Sequence, residues 1–459
     1  MKREHSKRTE RAFRNTAVLI VLLVVIAGCA SVRKPVAMPH APAIVEVQAT
    51  TVAYPLVLLH GIGQKAHVWE GAALDSYRNV LGLHFGGVMT LSGGSVKITG
   101  YNGGPRDFFT VSFSNPTDSV AGWSKELERY IAEVRRVTGA DEVTLVGYSM
   151  GGIAARHYLT KHLRDHHVRR LITIGTPHLG SPYSRVYTLK SGIVNQLTDR
   201  PSPLAVPFLQ AAKSAIEACE SDIPFDAPAV RDLIPPDNAG NFLDQLGKAP
   251  HPQDIEYISV IGNVDVISDA QKLKSSAVQE IIRRVSEMYD SGVGALLTPG
   301  DGVVSTTSQI ITNIPWFTNK QENVRLARTV SLKSVHTKHL QSSPEIQRVT
   351  LECKPELHSA EWYVVEGVPS LVISFRDYLQ ASSTECSVSY ASLAGERTQK
   401  STQAKLVTLP SGERVCRIVM PMSDVDFSAA CSVRYSVRNS YGYTFTSTKE
   451  WVPPQPAGE

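Results

Sequence analysis

Gly147-Tyr148-Ser149-Met150-Gly151-Gly152 is the segment of this 459-residue chain whose residue types and spacing point most directly to chemistry. It follows the apolar run Glu142 to Val146 and precedes Ile153 to Leu163, which has a helical pattern. A G-x-S-x-G turn between strand and helix lifts a serine hydroxyl clear of a sheet, and its glycines remove the side chains that would collide as strand and helix approach. Such a serine suits nucleophilic catalysis. It needs a base to take its proton and preorganised donors for the oxyanion that its attack creates. The Gly-rich turn His60-Gly61-Ile62-Gly63 can present backbone N–H groups from the end of another buried strand, so the amides of Ile62 and Met150 are the expected oxyanion donors. Losing one such donor costs about 3 to 4 kcal/mol in the barrier. His60 itself is expected to support the loop, not to act as base.

The elements that must position these residues run from about residue 54 to 352. Apolar strand-like runs (Tyr54 to His60, Asp107 to Phe113, Glu142 to Val146, Arg170 to Ile174, Ile255 to Ile261, Arg325 to Leu332) alternate with helical segments. Between Asp118 and Thr138, for instance, Leu127, Tyr130, Ile131, Val134 and Val137 recur at helical spacing. This order predicts a mainly parallel sheet with helices on both faces. A Pro-rich stretch over about 181–250 reads as an inserted cap, with Pro207 to Ala218 a candidate lid, and a short helix from Pro344 to Leu351 closes the unit. His157, His162, His166 and His167 read as a solvated helix end, and Arg231-Asp232 receives no role.

At these residues the chain resembles the α/β-hydrolase family, in its bacterial lipase and esterase branch. The resemblance rests on PLVLLHGIG at 55–63, VTLVGYSMGG at 143–152, ITIGTPHLGSP at 172–182 and GDGVVSTTS at 300–308. The GTPHLG segment is similar to one in triacylglycerol lipases and in GPI-inositol deacylase-like proteins. The family order of serine, then acid, then histidine implies that both partners lie downstream of Ser149. His336, after the last strand, is the preferred base, with His339 the rival. Asp301 is the preferred acid because its surroundings resemble the NDGLV-type segment of such lipases, and Asp265 remains the alternative. Either acid would orient the imidazole and stabilise imidazolium without taking its proton.

The amino terminus reads as an address. Six of the 47 Lys and Arg residues and two of the 43 Asp and Glu fall in the first 16 positions, which leaves the two signs equal thereafter. No global positive field exists to attract nucleic acid. Ala17 to Gly28 is an uninterrupted apolar run, shorter than the roughly 20 residues a spanning helix needs. It ends in Ile26-Ala27-Gly28-Cys29, which resembles the lipobox of bacterial lipoprotein precursors. Residues 1–28 are then a signal peptide, Cys29 the lipidation site and 29–53 a tether, the alternative being an uncleaved signal anchor with an incidental cysteine. Ala30 after the cysteine leans towards the outer membrane of a Gram-negative cell. In such a compartment disulfides are permitted, and the cysteines beyond residue 352 (Cys353, Cys386, Cys416, Cys431) suggest one or two bridges. Over 355–459 the helical period gives way to short alternating segments, predicting a small β-sandwich of immunoglobulin or fibronectin-III type, its protein partner unknown.

The resemblance implies a membrane-tethered serine hydrolase that cleaves carboxylic esters, lipidic ones foremost, through an acyl-enzyme without cofactor or metal. An acyltransferase of the same fold and a catalytically idle binding lipoprotein are the alternatives.

Overall fold

The computed structural model describes residues 38–181, 223–224, 226–236, 240–264, 299–320, 324–340, 354–377, 384–392, 395–439 and 442–453. The signal segment, Cys29, the candidate lid, Asp265, the short helix at 344–351, Cys219 and Cys353 lie outside them. Among the described residues no helix is long and apolar enough to cross a membrane.

The central sheet contains β2 (Leu56–Leu59), β3 (Phe85–Ser92), β4 (Ser95–Thr99), β5 (Phe108–Ser112), β6 (Val143–Tyr148), β7 (Val168–Ile174), β8 (Glu256–Gly262) and β9 (Leu326–Leu332). Their spatial order is β4-β3-β5-β2-β6-β7-β8-β9, and every pairing is parallel except β3 with β4. Side chains alternate across a strand, so a doubly covered sheet must be apolar at successive positions. Val57, Leu59, Phe109, Val111, Leu145, Leu171 and Tyr257 accordingly join one core. Leu56, Leu58, Phe108, Val146, Ile172, Ile258 and Val260 join another, with Trp69 and Tyr77.

Several helices pack into the first core, the two longest being Val120–Thr138 and Met150–Lys161. Val120–Thr138 begins where Ser119 Oγ accepts from Gly122 N–H at 3.1 Å and buries Trp123, Leu127, Tyr130, Ile131 and Val134. Asp232 gains a role here, since its Oδ2 accepts from Val120 N–H at 2.8 Å, a carboxylate on the positive end of that helix. The second helix, Met150–Lys161, follows Ser149. The histidines after it are not simply a solvated end. His166 is 2% exposed, and its Nδ1 accepts from Val168 N–H at 3.0 Å, which starts β7.

The antiparallel hairpin of β3 and β4 extends the sheet beyond the strands that sequence pattern identifies. β4 alternates exposed and half-buried residues on an edge, so it lacks the apolar run of a buried strand.

Two further antiparallel sheets follow. One has the order β1-β14-β15-β11-β10, from β1 (Val45–Glu46), β10 (Glu356–Val365), β11 (Val368–Arg376), β14 (Lys405–Thr408) and β15 (Arg414–Pro421). The other has the order β13-β12-β16-β17, from β12 (Glu385–Ser392), β13 (Gly395–Ser401), β16 (Cys431–Arg438) and β17 (Thr444–Trp451). Their inner faces share a core of Trp362, Ile373, Phe375, Val388, Ile418, Val433 and Tyr435, consistent with a β-sandwich.

The expected tether over 29–53 is corrected from residue 38 onward. Val45 and Glu46 pair with Thr408 and Val407, Met38 and Tyr54 enter the sandwich core, and Asp107 accepts from Thr51 N–H at 2.6 Å and Thr51 Oγ1 at 2.7 Å. The segment supplies a partner for the edge of β14, and an exposed strand edge is costly to leave open. Arg414 joins the two units, donating to Thr50 Oγ1 and to the carbonyl of Thr138. The cysteine expectation is corrected too, because Cys386, Cys416 and Cys431 are free thiols. Cys386 and Cys416 serve as small apolar core residues, and burial pushes the Cys386 thiol up to about 12.

Candidate active site

Ser149 sits at the end of β6 with φ 51° and ψ −126°, a backbone state that costs about 1–3 kcal/mol in a residue with a Cβ. The turn is held by Ser149 N–H donating to Ile174 carbonyl at 2.9 Å and Gly152 N–H donating to Ser149 carbonyl at 3.1 Å. A Cβ on Gly151 would stand 2.5 Å from the carbonyl oxygen of His60, so only glycine lets the helix start this close to the end of β2.

His336, Asp301 and Ser149 meet although they are far apart in the chain. His336 Nε2 lies 3.1 Å from Ser149 Oγ, and His336 Nδ1 lies 2.8 Å from Asp301 Oδ2. An ionised carboxylate only accepts, so Nδ1 carries the proton and the Nε2 lone pair faces the serine hydroxyl. The three are 5%, 0% and 7% exposed in that order, dry enough to strengthen each contact.

Local backbone fixes each partner. Asp301 lies in a tight turn closed by Asp301 N–H on Val304 carbonyl at 3.1 Å. Its Oδ1 accepts from the N–H groups of Val303 at 3.0 Å and Val304 at 2.7 Å, the self-directed bonding that places Asp in turns. His336 opens a 3₁₀ turn, His336–Lys338; its N–H donates to Asp301 carbonyl at 2.9 Å, and its carbonyl accepts from Tyr148 Oη at 2.9 Å.

Three residues per turn bring positions i and i+3 to one side. His339 therefore also reaches the acid, with Nε2 3.0 Å from the same Asp301 Oδ2. The HTKH spacing is the signal from which this contact could have been found. The rival base does not approach the serine by any hydrogen bond; it approaches Asp301. Burial alone would raise the Asp301 carboxyl, but His336 and His339 outweigh it and hold the group well below the usual carboxylate range. Burial lowers His339, against the pull of Asp301, and favours its neutral form.

Asp301, His336 and His339 also make a group of metal-ligand type, with donor atoms within 4.8 Å of one another. Asp301 Oδ2, His336 Nδ1 and His339 Nε2 are engaged in the hydrogen bonds just given. The acid alternative, Asp265, lies outside the described residues.

The turn that carries Ile62 lies beside the serine, since a Cβ on Gly61 would stand 3.1 Å from Ser149 Cβ. Met150 contributes the first N–H of its helix, one of the four that a helix leaves without an intrahelical acceptor. Ile62 lies between Gly61, whose N–H donates to Gln64 Oε1 at 3.1 Å, and Gly63, whose N–H donates to Pro116 carbonyl at 2.8 Å. His60 is buried, with Nδ1 on Gly61 carbonyl at 2.8 Å and Nε2 accepting from Phe113 N–H at 3.2 Å. Burial lowers it to about 4, so it braces the loop as a neutral ring. Arg156, on the helix that follows Ser149, donates to His178 carbonyl at 3.0 Å, a contact that sequence pattern did not announce.

Residues 54–189, which carry the elbow and the Ile62 turn, match the family described as alpha/beta hydrolase fold. Residues 54–189 thus carry the α/β-hydrolase fold. Over 131 residues the chain is 29% identical to a triacylglycerol lipase of Pseudarthrobacter phenanthrenivorans, covering 28% of this chain and 35% of that protein. A triacylglycerol lipase of Burkholderia plantarii is also 29% identical over 131 residues, covering 28% of this chain and 31% of its own length. The chain thus spans about a third of the curated relatives it matches. Among solved structures, the mature lipase BlEst2 of Bacillus licheniformis is 19% identical with a TM-score of 0.35, covering 68% of this chain and 93% of that one. A Listeria innocua protein is 17% identical with a TM-score of 0.39, covering 64% and 92%.

Gly175 tests how tightly this α/β-hydrolase site is fitted. It has φ +56°, and a Cβ there would stand 2.9 Å from His339 Cδ2 and 3.1 Å from both Asp301 Oδ2 and His336 Nδ1. Gly175→Ala is expected to displace the imidazole and lower kcat by about 10²-fold with KM little changed, the loss typical of a misplacement near 1 Å. Steady-state kinetics on a soluble ester would measure it.

Proposed function

We propose that this protein is a serine hydrolase of carboxylic esters, with lipid esters as its preferred substrates. The observation that carries the reading is the unbroken hydrogen-bond path from Ser149 Oγ through His336 to Asp301, at 3.1 and 2.8 Å. Ser149 Oγ attacks the carbonyl carbon while His336 Nε2 takes its proton, and Asp301 stabilises the imidazolium. The oxyanion is met by the N–H groups of Ile62 and Met150. Collapse expels the alcohol, which leaves with the proton from His336. Water then repeats the sequence on the acyl-enzyme, releasing the acid and restoring the serine.

Lipid preference is supported by the shared segment with two proteins named triacylglycerol lipases. It fits a chain whose first residues carry an apolar run ending at Cys29. Acylation there would tether the enzyme to a membrane outside the cytoplasm, where two or more acyl chains hold a protein stably.

A panel of esters of graded acyl length, presented soluble and in micelles, tests the reading together with a fluorophosphonate probe. We expect the probe to modify the peptide containing Ser149 and hydrolysis to rise with acyl length. A protein that neither labels nor turns over any ester would overturn the proposal, while activity confined to acetyl esters would remove the lipid preference.

A further inference from the structure

Asp301 is held by more than its catalytic partner. A carboxylate offers about four lone-pair sites, and here all four are taken. Oδ1 receives the amides of Val303 and Val304, and Oδ2 receives His336 Nδ1 at 2.8 Å and His339 Nε2 at 3.0 Å. Asp301 and His339 have no exposure, so water cannot replace a lost donor.

The proton on His339 can be assigned. Its Nδ1 is buried with no hydrogen-bond partner among the described residues, while Nε2 faces an acceptor. The ring is therefore the Nε2–H tautomer, fixed by one polar contact whose partner is the triad carboxylate. Among the described residues, Asp301 and His336 are the titratable groups that bear on His339, and Tyr148 lies against His336 with ring centroids 5.2 Å apart. Burial keeps the Tyr148 phenol protonated.

We propose that His339 is a positioning residue, whose Nε2–H on Asp301 Oδ2 fixes the carboxylate and sets the basicity of His336. The inference rests on the reading of Ser149, His336 and Asp301 as the catalytic triad. Its physical content is competition for one oxygen. A neutral donor on Oδ2 draws off part of the negative charge that would otherwise stabilise the His336 imidazolium. The imidazolium formed when His336 takes the serine proton is then held less strongly than it would be beside an unshared carboxylate.

The test is the pH dependence of kcat/KM on a soluble short-chain ester for the full-length protein, His339→Phe and His339→Gln. Phenylalanine fills the space without a donor, so the acid limb is expected to move up by roughly half to one pH unit, the size expected from removing one of four hydrogen bonds to a carboxylate. Glutamine can carry an N–H to the position of Nε2 and is expected to return the limb towards that of the unmodified protein. Limbs that superpose for all three would overturn the proposal and leave His339 a filler of space.

Should His339→Phe fail to fold, ¹⁵N NMR of the histidines in the unmodified protein decides. A proton on Nε2 of His339 from neutral pH down through the acid limb supports the assignment, and a proton on Nδ1 alone overturns it. Fluorophosphonate labelling separates the two levels: unmodified protein that labels but shows unshifted variants sinks only the role of His339, whereas protein that never labels sinks the triad.

Discussion

Ser149→Ala is expected to lower kcat for ester hydrolysis by about 10⁶-fold while leaving the fold intact. The substitution removes one oxygen, whose hydrogen bond within the protein is to His336 Nε2 at 3.1 Å. The backbone contacts that shape the elbow, Ser149 N–H to Ile174 and Ser149 carbonyl to Gly152 N–H, are untouched. Alanine carries the same Cβ as serine into the φ 51° conformation, so the strain of the turn is neither relieved nor increased. Unfolding by denaturant should therefore show a midpoint within about 0.5 kcal/mol of the parent, as for a substitution that creates no cavity and orphans no donor. What remains is the catalysis that binding and the amides of Ile62 and Met150 supply, about 10³- to 10⁴-fold over water. A second change, His336→Ala on top of Ser149→Ala, should add almost nothing, because residues that act as one unit are not additive. Single-turnover assays with a chromogenic ester measure both, and a variant that kept more than about a hundredth of kcat would remove Ser149 as nucleophile.

The parts of this protein that sequence exposed are those whose cause is local. The elbow was legible because its requirements, a buried strand, a glycine on each side of the serine and a helix start, all fall within a dozen residues. The strands β5 to β8 were legible because a sheet covered on both faces must be apolar at each successive position, as Phe108–Ser112 and Val143–Tyr148 show. Nothing local announces a strand that only borrows a partner. Val45 and Glu46 pair with residues about 360 positions away, so no window of sequence contains the reason they are extended. The expected bridges rested on compartment chemistry, which says where disulfides survive and nothing about geometry. Cys386 and Cys416 sit in a dry core as small hydrophobes instead. The HTKH pair shows the intermediate case. Two histidines three apart are ambiguous as a base and its rival until the turn type is known, and in a 3₁₀ turn both reach one carboxylate.

That shared carboxylate makes Asp301→Asn the second large effect, expected to lower kcat by about 10⁴-fold with little change in KM. The argument is one of donors and acceptors. Val303 and Val304 N–H point at Oδ1, so the asparagine carbonyl must take that place and its NH₂ group must face His336 Nδ1 and His339 Nε2. Both ring nitrogens carry protons in the parent protein. Donor would then meet donor unless each imidazole moved its proton to the other nitrogen. For His336 that means Nε2–H aimed at Ser149 Oγ, which no longer finds a base. For His339 it means an Nδ1–H in a buried place with no acceptor, an unmade bond worth about 1–3 kcal/mol. Flipping the amide offers no escape, since its NH₂ would then face two backbone N–H groups. The variant should accordingly lose stability as well as activity, unlike Ser149→Ala, and denaturant unfolding beside steady-state kinetics would show the pair of effects together. Asp265→Asn, assayed in parallel, gives the converse: a 10⁴-fold loss there with Asp301→Asn near parental activity would transfer the acid's role, because only one carboxylate can hold the Nδ1–H tautomer that leaves Nε2 free for the serine.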